Sequence, residues 1–170
     1  MSFRTAVVVS FVVLAGAVAV AQEAPAPLDA CAMLPEAEAL ALLPGTKQVT
    51  RQPAAARSAD REASACTYQD EADASRRVAL SIQRFPRAVP AEIGWALFND
   101  NELESVDGIA RGALWKPSTA TIMLVLKQEF ITLTVTRPDA PATMEEVRAL
   151  MTQVYERLEA PASERSVTAP

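Results

Sequence analysis

Between Gly108 and Thr136, large aliphatic residues occupy every second position of two successive segments, Ile122, Leu124 and Leu126 in the first and Ile131, Leu133 and Val135 in the second. Alternation of this kind marks half-buried β-strands, because successive side chains of a strand point to opposite faces. Antiparallel pairing with Lys127 opposite Phe130 across Gln128-Glu129 sets Leu126 against Ile131, Leu124 against Leu133 and Ile122 against Val135. All of these then share one face, while Met123, Val125, Thr132 and Thr134 share the other. A slip of one residue would turn one strand's aliphatics to the wrong side. Gln-Glu is a poor pair for a two-residue turn that needs positive φ; a four-residue loop closing at Leu126 and Ile131 keeps the same facing pairs.

The same period recurs upstream. Ser64 to Gln69 and Arg77 to Phe85 read as strands, with Val78, Leu80 and Ile82 on one side and Ala79, Ser81 and Gln83 on the other, joined by the acidic link Asp70 to Ser75. Lys47 to Gln52 is expected as a short edge strand, and Pro53 to Ala63, rich in Ala, Arg and Ser, as an exposed loop. Three segments carry helical signals. From Pro35, PEAEALALL places acids in a first turn and stops at Pro44-Gly45, with Ala37, Leu40 and Leu43 as its buried stripe. Pro90 to Leu103 has Ile93, Ala96 and Leu97 on its apolar side, with Trp95 as a further candidate. In the third, Thr143 and Glu146 have capping-box spacing, followed by Met144, Val147, Leu150, Met151, Val154 and Leu158 at steps of three and four. Strands interrupted by helices predict an α+β domain: a largely antiparallel sheet of five or six strands, with three helices packed mainly on one face.

The ends of the chain differ from its centre. Arg4 followed by the apolar run Ala6 to Val20 and the small-x-small triplet Ala19-Val20-Ala21 reads as a signal peptide over residues 1–21. An uncleaved anchor is the other reading, and the run is short for a span of about 20 residues. Residues 22–28 form a Pro/Ala leader, 29–159 the single domain, and 160–170 a tail without periodicity that is expected to be disordered. Export places the two cysteines in an oxidising compartment, periplasmic or extracellular, and two cysteines allow one pairing, Cys31 with Cys66.

Composition then removes function classes. The chain of 170 residues carries 16 Lys and Arg against 21 Asp and Glu; loss of residues 1–21 removes only Arg4, leaving 15 against 21, a charge of -6. Nucleic acid is a poor partner for that balance. The sequence contains no histidine, so Ser-His and Cys-His nucleophiles and the usual zinc ligand sets are excluded. It also lacks Ser-x-x-Lys, phosphate-loop and dinucleotide fingerprints. No metal, cofactor or catalytic residue is expected. Two acidic clusters remain, Asp70, Glu71 and Asp73 in a loop and Asp100, Glu102 and Glu104 near a helix end, either as a carboxylate pair of a hydrolase or as solvated loop and helix-end charges. Arg76, Arg77 and Arg84, with Arg87 beyond them, either hold an anionic ligand or serve as strand-end charges. Trp115 and Lys116 either form the lip of a pocket or, for the tryptophan, enter the core.

Asp29-Ala30-Cys31-Ala32-Met33-Leu34 before a short helix, Cys66-Thr67-Tyr68 opening a strand, and Val106 to Trp115 (VDGIARGALW) before a hairpin form a set of local patterns. Together they resemble the uncharacterised exported lipoproteins of actinobacteria, and the layout is similar to the extracellular sensor domains of mycobacterial receptor kinases. The resemblance spans about Asp29 to Leu158 and implies a compact α+β domain with one disulfide, located in the cell envelope and engaged in ligand or partner binding. The chain departs from it in having no lipid-attachment cysteine and in Ala110, where a glycine is common. The function expected is therefore an exported, non-catalytic binding or interaction domain for an envelope protein or small ligand. Its contact surface would draw on Trp115, Lys116, Arg76, Arg77, Met123 and Val125. A carboxylate-dependent hydrolase and a structural or stress-related envelope protein are the alternatives.

Overall fold

The computed structural model describes residues 27–58, 61–87, 102–110 and 112–160. Among them seven strands form one antiparallel sheet: β1 (Val49–Arg57), β2 (Glu62–Asp70), β3 (Arg77–Arg84), β4 (Glu104–Val106), β5 (Ala113–Lys116), β6 (Thr121–Leu126) and β7 (Glu129–Thr136), in the spatial order β1-β2-β3-β7-β6-β5-β4. Three helices accompany it, α1 (Ala30–Met33), α2 (Glu36–Ala41) and α3 (Met144–Glu159). The segment expected as a signal peptide, most of the helix expected from Pro90 to Leu103, and nearly all of the expected tail lie outside the described residues.

Alternation decides which side of each strand is buried. Cys66 faces Leu80, Leu80 faces Leu133, Leu133 faces Ile122, and Ile122 faces Trp115, giving a continuous apolar row across five strands. These residues belong to one core cluster with Leu34, Ala39, Leu42 and Leu43 from the N-terminal helices and Val147, Leu150, Met151 and Val154 from α3. The expected faces are correct, but the register of the central hairpin is not. Leu126 pairs with Glu129 and Leu124 with Ile131, so the turn is Lys127-Gln128, two residues from the expected pairing. A shift of two preserves the side on which every residue lies, which is why the aliphatic pattern does not distinguish the alternatives. The observed register sets Val125 against Phe130 and brings the Thr121 and Thr134 hydroxyls to 2.9 Å.

The N-terminal half differs more. Pro53 to Arg57, expected as a loop, extends β1 to nine residues along β2. Gln48 accepts from the Glu71 amide and Ser58 donates to Arg61, so even-numbered residues of β1 direct their backbone groups at β2 and odd-numbered ones point outward. Pro53 is odd-numbered and its missing N–H falls on the side of β1 that has no neighbouring strand among the described residues, the position where a strand tolerates proline. With Arg51 and Arg57 on the same outward register, this edge is a poor template for another strand. In α2, Pro35 caps the helix instead of opening it, and the buried stripe is Ala39, Leu42 and Leu43, with Ala37 exposed. The C-terminal helix follows its sequence signals: Thr143 and Glu146 form both halves of a capping box, and Val147, Leu150, Met151 and Val154 are buried.

The N-terminus is fixed to the sheet at several points. Asp29 caps α1, the Ala30 amide donates to Ser64 Oγ at 2.9 Å, and Cys31 is disulfide-bonded to Cys66 as expected. The buried Tyr68 hydroxyl donates to Leu34 O at 2.9 Å, and burial pushes the phenol's pKa up, keeping the donor protonated. Tyr68→Phe is expected to cost about 1 kcal/mol in urea unfolding, the net value of one buried hydrogen bond plus an unsatisfied carbonyl.

Candidate functional site

The second side of the sheet is built from different residues. Its middle carries Ala63, Ala65 and Thr67 from β2, Ala79 and Ser81 from β3, and Thr132 and Thr134 from β7, all half-buried. They follow from the same alternation: each lies one residue from a core position, and each is small or hydroxylated. A side made of such residues is smooth, with few long side chains to order on contact. A depression of about 140 Å³ lies over its β1 end, between Ala54, Ala56, Ala63, Ala65 and Ser81. Towards β6 the character changes, and Met123 and Phe130 are buried.

The residues expected at the contact surface are not gathered in one place. Trp115 is 5% exposed and sits in the core opposite Ile122, because its position in β5 shares the parity of the aliphatic face. It is a core residue and not a pocket lip. Met123 lies on the second side as expected but is only 1% exposed, so it offers no accessible surface, whereas Val125 is half-buried. Lys116 pairs with Thr121, and Arg77, exposed, pairs with Thr136 at the same end of the sheet. Arg76 is committed to the fold: it contacts Asp139 through both carboxylate oxygens at 2.8 and 3.0 Å, donates to Pro44 O at 2.6 Å, and lies 3.5 Å from Asp70. Arg84 is at the far end of β3, where it meets Glu129 at 3.0 Å and Glu62 at 3.6 Å. The run Arg76, Arg77 and Arg84 is therefore split between the two ends of one strand.

The loop carboxylates are also occupied. Asp70 accepts from Thr46 Oγ1 at 2.7 Å and from the Ala72 amide at 3.0 Å, and these bonds hold its carboxyl below its ordinary pKa. Asp73 accepts from the Ser75 hydroxyl and amide, with the same effect. Both are turn-forming acids. Glu102 and Glu104 are exposed, and Asp100 lies outside the described residues. No group of His, Cys, Asp and Glu able to hold a metal occurs among the described residues.

The most perturbed carboxylate belongs to the capping box. Glu146 accepts from Arg137 at 2.9 and 3.2 Å and from the Thr143 amide at 2.7 Å, which lowers its pKa from 4.5 to about 2. A depressed carboxylate contributes stability above its unfolded pKa and loses it as pH falls through the folded one. With the Glu146 side chain 40% exposed and partly screened, the contribution is about 1 to 2 kcal/mol. Urea midpoints should fall between pH 5 and pH 2, and Glu146→Gln should flatten that limb; an unchanged acid limb would contradict the assignment.

Compared with protein-family models, with curated proteins and with solved structures, the chain matches none. Geometry alone therefore ranks the surfaces. Besides the depression on the second side, a cavity of about 590 Å³ lies along the β4–β5 hairpin, between Val106, Gly108, Ile109 and Leu114, and one of about 310 Å³ lies at the Arg84 end of the sheet. Sequence reasoning missed the β1 part of the second side, Ala54 and Ala56, because proline followed by small residues reads as loop. The available signal was Gln52, Ala54 and Ala56 in step with Thr67, Ala65 and Ala63.

Proposed function

We propose that the chain is an exported, non-catalytic binding domain that offers the second side of its sheet to a partner protein, its three described helices sharing the first side. The observation that carries this reading is the contrast between the two sides: one is a closed apolar core, the other a run of small and hydroxylated residues from β2, β3 and β7. The depression on that side, about 140 Å³, is below the few hundred Å³ typical of small-molecule sites, which favours a protein surface over a small ligand there. Export is supported by the N-terminal apolar run and by the disulfide, since such bonds persist in oxidising compartments. No helix among the described residues is long and apolar enough to cross a membrane. The tying of Asp70 and Asp73 into turns favours binding over hydrolysis.

Photo-crosslinking in cells tests the proposal. Benzoylphenylalanine at Ala63 or Ser81 is expected to trap a discrete envelope partner, and the same group at the exposed Glu145 of α3 is not. Equal crosslinking from both sides, or none from Ala63 and Ser81, would overturn it.

A further inference from the structure

We draw no further inference here: the strongest candidate, the cavity of about 590 Å³ along the β4–β5 hairpin, takes its wall from the loop on either side of residue 111, which lies outside the described residues, and its polar lining side chains, Ser105 and Asp107, are both exposed, so nothing among the described residues says what it would hold.

Discussion

Replacing Cys31 and Cys66 together with Ala is expected to lower the free energy of unfolding by about 3 to 4 kcal/mol. The two residues are 35 positions apart, and the loop-closure entropy that a bridge of this span removes from the unfolded chain is of that size. The folded state loses less, because the same segment is held by other bonds: the Ala30 amide to Ser64 Oγ, Tyr68 Oη to Leu34 O, and Arg157, which donates to Met33 O at 2.9 Å and pairs with Glu38. The variant should therefore fold, with a native-like amide spectrum and a lower urea midpoint. Unreduced protein and protein in excess thiol should differ by a similar amount. A loss below about 1 kcal/mol would mean that the unfolded chain is already compact around this loop.

Leu133→Ala is expected to cost about 3 to 4 kcal/mol, within the range for a leucine truncated in a rigid core. Leu133 is fully buried, and its strand lies between β3 and β6, so it faces Leu80 on one side and Ile122 on the other. Neighbours held in two ladders cannot close the space by moving one element. The adjacent Thr132, on the other side of the same strand, is half-buried. Thr132→Ala should cost less than about 1 kcal/mol, so paired urea titrations of the two variants compare the two sides of one strand directly. Equal losses would contradict the division between core and surface.

That division was legible because parity survives errors of register. The six aliphatics of β6 and β7 all share the expected side although the hairpin turn lies at Lys127-Gln128. The α3 stripe and its capping box were legible for a similar local reason, as both depend on spacings within one turn of helix. Long-range commitments were not. Arg76 and Arg77 are adjacent, yet only Arg76 is drawn into the contacts with Asp139 and Pro44, elements that its own hairpin does not specify. Arg57, Arg61 and Arg84 border one cavity because three strands end together, which no single segment encodes. Pro53 shows the converse: its local signal is for a loop, but an edge position removes the cost of its missing N–H. The buried Arg137, whose guanidinium bridges Leu42 O and Glu146, likewise joins three elements, and its Nε has no partner among the described residues.

The central claim, that the smooth side of the sheet is a binding surface and not a second core, is tested most directly by Ala65→Arg. Ala65 lies between Ala54 and Ser81 in the ladder, in the middle of the shallow depression. A long charged side chain there can extend into solvent while obstructing any partner. The melting temperature should stay within about 3 °C of the parent, as for a surface substitution, and crosslinking from benzoylphenylalanine at Ala63 should be lost. A melting temperature that falls as far as that of Leu133→Ala, or crosslinking that persists unchanged, would contradict the account.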